Sequence, residues 1–490
     1  MTDSGTSGGK QGLSAARRLG RNVIFSGATS LADTLLLLLL ILAGRLLGLE
    51  AFGIFSLGLA VSALLVFVTN LGLDSLAVRQ LAVDKDNAAH LIGSVLAWKI
   101  TISLISLSIY GLVIAYMIED ETIRYVAYIL GPAAIFRSFN MTFRSIFQGF
   151  ERFSTEMRIV LLERVLLLSF GLIVLLFSAD PISFSLVFLF SRALSFLVYL
   201  VVIQSKVCRF SLTIDAAFIK QFQLTAWPLG VSTVIFGLYM QLDILVLGLF
   251  VNVGEVGLFS SAMKIYEGAL VIPLVFNSVF YPRLSYAYEH ERRLFHELAP
   301  RLIKYVLILS VFLALSGLFF SSEIIMLLFG EDYLPASTVL SILLAAVAIQ
   351  FMVTVLYTFL RSIGALKSVM HLMFLGLIVK LAGDLLFIPS FEIKGAAMAA
   401  CASVAVMLIA ALYRLRKIIV WSESYYVMLS RVTASTIITI VLHMVLPQLS
   451  ASLSPFILGF VFLSLLLALG VFDRQELALV RSLFPGRVPK

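Results

Sequence analysis

The feature that most limits this chain is a succession of apolar runs, each about 20 residues or longer, from residue 22 to residue 472 with only short polar breaks. A run of that length crosses the hydrocarbon core as a helix, because a backbone in lipid must satisfy its own hydrogen bonds. Transmembrane strands would be about 10 residues long and would alternate apolar with polar. Leu35 to Leu42 does not alternate. The expected fold class is therefore an all-α integral membrane protein. The 490 residues are 61% hydrophobic and 13% charged, against ~25% charged in soluble domains. That excludes the several soluble domains which length alone would suggest.

Hydropathy places about fourteen transmembrane helices. They are predicted at 22–46, 54–78, 91–117, 124–147, 156–178, 181–203, 221–250, 256–281, 301–322, 337–361, 368–389, 395–417, 427–447 and 451–472. The breaks between them carry an orientation signal. Alternate breaks hold acids such as Glu119-Asp120-Glu121 and Glu331-Asp332. The others hold most of the basic residues, among them Arg17, Arg18, Arg21, Arg292, Arg293, Arg414, Arg416 and Lys417. By the positive-inside rule both termini are expected in the cytoplasm, with the chain in the cytoplasmic membrane. Topology thus explains the net charge of +8, and a nucleic-acid partner is not expected.

The sequence repeats itself. Phe52-Gly53-Ile54-Phe55-Ser56 recurs as Val256-Gly257-Leu258-Phe259-Ser260, 204 residues later. At the same offset Gly44 pairs with Gly248, and Arg79 with Arg283. Each copy would hold six helices. Six is even, so the copies run parallel about an axis along the membrane normal. The expected organisation is a tail at 1–21, a first lobe at 22–203, a cytoplasmic linker at 204–220, a second lobe at 221–417, and two further helices with a C-terminal tail at 418–490. Two six-helix lobes about a midplane cavity are the usual plan of an alternating-access transporter.

Charges inside a membrane cost at least ~2.5–3.5 kcal/mol each, so every one needs a reason. The first lobe places Lys99, Arg137, Arg144, Arg164 and Arg192 in helices against Asp33 and Glu163, with Asp74 near an inner end. The second places Lys264 and Lys380 against Asp243, Glu267 and Asp384. Arg137, Asn140, Arg144 and Gln148 recur at helical spacing and form one stripe. Lys99, Ser103, Ser106 and Tyr110 form another. Arg192 shares a face with Ser195 and Tyr199, and Asp33 with Asn22, Ser26 and Ser30. Ser232, Tyr239 and Asp243 share a helix that Pro228 should kink. Such stripes face a wet cavity or another helix. Lys380 and Asp384, four apart, can neutralise each other, whereas Lys264 and Glu267 stand open between a pair and a site. The adjacent Glu163 and Arg164 are expected to seek separate partners, and Arg144 and Lys99 could reach towards the inner surface. Asp33, Asp243 and Glu163 are either ion-coupling groups or counter-charges. A basic cavity suits an anion, and the arginine fork suits phosphate. The expected anion site is Lys99, Arg137, Asn140, Arg144, Arg164, Arg192 and Lys264.

Two stretches resemble a known family. One runs from Leu242-Asp243-Ile244-Leu245 through Glu255-Val256-Gly257-Leu258-Phe259-Ser260-Ser261-Ala262-Met263-Lys264 to Ile272-Pro273 and Tyr281-Pro282-Arg283-Leu284-Ser285. The other joins Leu47-Gly48, Phe52-Gly53-Ile54-Phe55-Ser56 and Leu71-Gly72-Leu73. Both are similar to the polysaccharide-transporter family, the O-antigen-type flippases, in a superfamily with lipid II flippases and multidrug-and-toxin extruders. The resemblance implies a V of two lobes, and transfer of undecaprenyl-diphosphate-linked oligosaccharides to the outer leaflet. It also implies a cationic cavity for the headgroup and a lateral gap for the lipid. The expected partners are this lipid-linked oligosaccharide, membrane lipids and other glycan-assembly membrane proteins. No cofactor is expected, and Na+ or H+ coupling stays open.

Other readings are weaker. An exporter of organic cations would line its cavity with acids and aromatics, whereas this interior is basic. A membrane polymerase or ligase of the same glycans would need a larger outer loop. His90, His290, His296, His371 and His443 are dispersed, without a metal or paired-carboxylate motif, so no enzyme activity and no metal are expected. Cys208, in an inner loop, and Cys401, in a helix, are not expected to pair. The Gly/Ser-rich start at Ser4-Gly5-Thr6-Ser7-Gly8-Gly9-Lys10 lacks the full phosphate-loop pattern and is expected to be a flexible tail.

Overall fold

The computed structural model describes residues 32, 35–416, 423–445, 454–469 and 471. Among them every regular element is a helix. The first is α1 (Leu35–Leu47). Then follow α2 (Leu49–Asn70), α3 (Leu73–Val83), α4 (Ala88–Met117), α5 (Glu121–Gly149), α6 (Phe153–Phe177) and α7 (Pro181–Lys206). After these come α8 (Ala216–Phe250), α9 (Val253–Ala269), α10 (Val271–His290), α11 (Arg292–Leu328), α12 (Ala336–Ser362), α13 (Leu366–Leu415), α14 (Glu423–Val445) and α15 (Ser454–Ala468). Eight helical stretches are long and apolar enough to span a membrane by themselves, and α1, α14 and α15 contribute shorter apolar ones. The chain is a multi-pass membrane protein.

The elements follow the hydropathy with three differences of physical interest. The helix predicted at 54–78 is two, because Leu71 and Gly72 both adopt left-handed backbone, at φ 31° and 82°. A Cβ on Gly72 would lie 2.5 Å from the Ala226 carbonyl oxygen and the Gly230 nitrogen of α8. Glycine therefore supplies both the turn and the close approach of two backbones. The helix predicted at 301–322 runs from 292 to 328, its inner end extending beyond the apolar segment. In α13 the two predicted spans are two helical stretches, but the gap expected between them shrinks to a break at Glu392 (φ 53°, ψ −131°). The segment expected to kink at Pro228 lies in α8, which runs from Ala216 to Phe250 as a single element.

Aspartates start several helices, as their side chains can accept from otherwise unpaired N–H groups. Asp120 accepts from the Ile123 nitrogen, Asp180 from Ser183 and Asp215 from Phe218.

The contacts divide the chain into two compact units. One gathers the residues up to Lys264 with Leu328–Tyr333 and Asp384–Ile393, and the other gathers the remainder. In the first unit α5 is the central helix, packing against α2, α3, α4, α6 and α7. Phe55, Phe184 and Phe188 fill one core between α2 and α7, and Phe139, Phe143, Phe147 and Tyr199 another between α5 and α7. The buried Tyr333 donates to the Gly44 carbonyl at 2.6 Å and packs against Phe52 and Phe329. Tyr333→Phe keeps the ring and removes that bond, so thermal unfolding in detergent should show a loss of about 1 kcal/mol. In the second unit α10 packs on α12, where Thr358 donates to Asn277 at 2.7 Å. Leu315, Met428, Val432, Phe462 and Leu466 join α11, α14 and α15.

The repeat has a physical counterpart. A Cβ on Gly53 would lie 1.8 Å from the Val253 carbonyl oxygen, and one on Gly257 would lie 2.2 Å from the Leu49 carbonyl oxygen. Val253 and Gly257 stand 204 residues after Leu49 and Gly53. The two copies of the motif therefore meet each other reciprocally, backbone against backbone, and each needs glycine at the crossing.

Candidate functional site

The arginine stripe of α5 borders a cavity of about 300 Å³ inside the first unit. Its lining includes Arg137, Asn140 and Arg144 of α5, Glu163 and Arg164 of α6, Arg192 of α7 and Leu36 of α1. Four guanidinium groups thus surround one space, with Glu163 as the single carboxylate among the described residues that line it. The reason is helical periodicity on α5, which turns Arg137, Asn140 and Arg144 to one side. Packing of α5 against α6 and α7 then brings the other groups onto that side.

The arginines are held differently. Arg137 is exposed, whereas Arg192 is 3% exposed and lies 5.1 Å from the Phe188 ring. Arg192 Nε and Asn140 Oδ1 are buried without a hydrogen-bond partner among the described residues. Asn140 Nδ2 donates to the Arg192 carbonyl at 3.2 Å and to Glu163 Oε2 at 3.4 Å. Arg144 Nε pairs with the buried Glu156 Oε1 at 3.0 Å, and Gln148 Nε2 donates to the same oxygen at 2.9 Å. Glu156 sits just after the turn between α5 and α6, where consecutive antiparallel helices bring their ends together. That turn was the signal in the sequence that could have revealed it.

Glu163 and Arg164 were expected to seek separate partners; Glu163 Oε2 does accept from Asn140 Nδ2 at 3.4 Å, but Arg164 Nη1 also donates to Glu163 Oε1 at 3.0 Å. The arginine side chain is long enough to fold back across the helix surface, which backbone spacing alone does not register.

Lys99 does not line this cavity. It is wholly buried in a separate polar cluster, where its ammonium donates to Asn70 Oδ1, to the Ser138 carbonyl at 2.9 Å and to Thr142 Oγ1 at 2.5 Å. The reach towards the inner surface open to Lys99 is not taken, because these acceptors lie closer. Lys264 and Asp243 are buried on α9 and α8 and likewise do not border the cavity. Asp33 and its stripe partners Asn22, Ser26 and Ser30 lie outside the described residues.

The fold has solved likenesses. A lipid II flippase MurJ in an inward-closed conformation superimposes with a TM-score of 0.75 at 14% identity, over 94% of this chain and 99% of that one. An inward-facing multidrug resistance MATE family transporter of the MOP superfamily gives 0.65 at 15%, over 81% and 98%. A MOP superfamily transporter from Pyrococcus furiosus, described as having a binding pocket of reversed polarity, gives 0.57 at 16%, over 81% and 95%. None of the curated protein sequences compared matches significantly.

Fold and helices together define a multi-pass membrane protein with the fold these solved structures share. Residues 19–287, more than half of the chain, match the polysaccharide biosynthesis protein family, and the chain belongs to it. A MatE profile matches residues 228–386.

Proposed function

We propose that this protein is a flippase that carries undecaprenyl-diphosphate-linked oligosaccharide or polysaccharide repeat units across the cytoplasmic membrane by alternating access, with both termini in the cytoplasm. The observation that carries this reading is the ring of Arg137, Arg144, Arg164 and Arg192 around one cavity. Guanidinium groups bind phosphate through paired charge-assisted hydrogen bonds, and a buried donor without a protein partner is one left for a ligand. Arg144 and Arg164 are partly neutralised by Glu156 and Glu163. Arg192, whose Nε is buried without a partner among the described residues, is the main anion ligand in this proposal, with Arg137 beside it on the cavity wall and Asn140 as an adaptable neighbour. Of the acids considered for ion coupling, Glu163 is the one among the described residues that borders the cavity.

The pocket also favours this reading over an exporter of organic cations. Among the described residues that line it, four arginines stand against one glutamate, with Glu156 pairing Arg144 behind them, a balance that disfavours a cation. The Pyrococcus furiosus relative, described as differing in function because of its pocket polarity, supports using polarity to separate functions on this fold.

The test is binding of an undecaprenyl-diphosphate oligosaccharide to protein in nanodiscs. The wild type is compared with an Arg137→Ala/Arg192→Ala double variant and with Arg293→Ala, whose side chain is 94% exposed. Binding should be lost only in the double variant. Equal binding by all three would remove the anion site from the proposal.

A further inference from the structure

The Lys99 cluster has the composition of an ion site rather than of an ordinary ion pair. Its oxygens come from three helices other than the one that carries Lys99. Asn70 closes α2, Asp74 opens α3, and Ser138 and Thr142 sit one turn apart on α5. They converge on the ammonium from α4, with the Phe139 ring 5.7 Å away. Three protons meet three neutral oxygens, and Asp74 Oδ1 stands 3.8 Å from Nζ. Thr142 donates to that carboxylate at 2.6 Å and so links it to the ammonium. Ser138 Oγ donates to Asn70 Oδ1 at 3.0 Å and shares a hydrogen bond with Thr69 Oγ1 at 2.7 Å, which fixes the shell behind its inner layer.

One carboxylate with three neutral oxygens is the donor chemistry that hard monovalent cations take. An ammonium group resembles such a cation in charge and in its demand for oxygen. Burial also differs across the shell. Lys99, Ser138 and Thr142 are fully buried and Asn70 nearly so, whereas the Asp74 side chain is 18% exposed. A path to this carboxylate therefore exists.

We propose that Asn70, Asp74, Ser138 and Thr142 form a monovalent-cation site whose resident cation is the ammonium of Lys99. The first unit carries this cation covalently and needs no alkali ion from solution here. Shortening Lys99 leaves the oxygens in place with an unbalanced, partly buried carboxylate. The site then takes Na+ or K+. The test reads cation binding alone, so its outcome is independent of the cargo assigned above.

The experiment uses full-length protein in nanodiscs. Thermal unfolding is followed in NaCl, KCl and choline chloride at equal ionic strength, for wild type, Lys99→Ala and Lys99→Ala/Asp74→Asn. Wild type should show no difference between salts. Lys99→Ala should gain roughly 1–2 °C from an alkali cation at about ten times its Kd, and the second substitution should abolish the gain. Lys99→Ala protein that responds no more than wild type would overturn the proposal, as would a response that survives Asp74→Asn. If Lys99→Ala cannot be purified in any salt, Lys99→Cys gives the same comparison. Aminoethylation of the new thiol restores an ammonium, with similarly treated wild type as the control for Cys208 and Cys401. The unmodified variant should respond to alkali cations and the modified one should not. Equal responses would overturn the proposal.

Discussion

Arg192→Ala should reduce transport of a diphosphate-linked glycan by about ten- to a hundredfold, the equivalent of one charge-assisted hydrogen-bond set lost at a buried site. The variant should still fold, since among the described residues Arg192 makes no ion pair and its buried Nε has no hydrogen-bond partner. Arg192→Lys should recover only part of the loss. Lysine keeps the charge but presents a point donor instead of a planar fork, and a shorter, more hydrated head does not replace the guanidinium near Phe188. A transport assay in proteoliposomes, with unfolding midpoints measured on the same preparations, separates the two effects. Full transport by a stably folded Arg192→Ala protein would dismiss Arg192 as an anion ligand.

Gly53→Ala is expected to lower stability sharply, with a closer backbone contact than alanine would make at the other crossings described here. The new Cβ would stand 1.8 Å from a backbone oxygen. No rotamer change relieves that contact, so α2 and α9 must separate. A cost of about 3 kcal/mol is expected, at the upper end of ordinary overpacking. Gly111→Ala on α4 is the matched control. A Cβ there meets nothing within 4 Å, and alanine is the better helix former by about 1 kcal/mol. Thermal unfolding should therefore fall sharply for the first variant and hold or rise slightly for the second. Equal midpoints would show that the helix crossing is looser than its geometry.

The part of the cavity that follows from periodicity was legible in the sequence. Arg137, Asn140 and Arg144 share a face because the helix repeats every 3.6 residues, and that is a property of the local chain. Their convergence with Arg164 and Arg192 was inferred from the cost of burying charge in lipid, which forces arginines together around water or an anion. What escaped was everything decided by side-chain reach or by neighbours distant in sequence. Arg164 folds back onto Glu163. Lys99 is drawn away from the other cations by Asn70 and Ser138, and nothing within one turn of Lys99 announces them. The break at Leu71-Gly72 was recognised as a motif, but its reason, the backbone of α8 lying against it, belongs to the tertiary structure.

The glycine crossing has one more implication. Gly53 faces the counterpart of Leu49, and Leu49 faces the counterpart of Gly53. That reciprocity is the signature of an isologous interface, in which one surface patch meets its own copy across a two-fold axis. Here the two patches belong to a single polypeptide, as if a symmetric dimer had been stitched into one chain. Because both sides of the crossing are the same patch, a lesion on one side has no differently shaped partner on the other that could yield to it. A single glycine requirement is thereby written into both repeats, and neither copy of the motif can give it up alone.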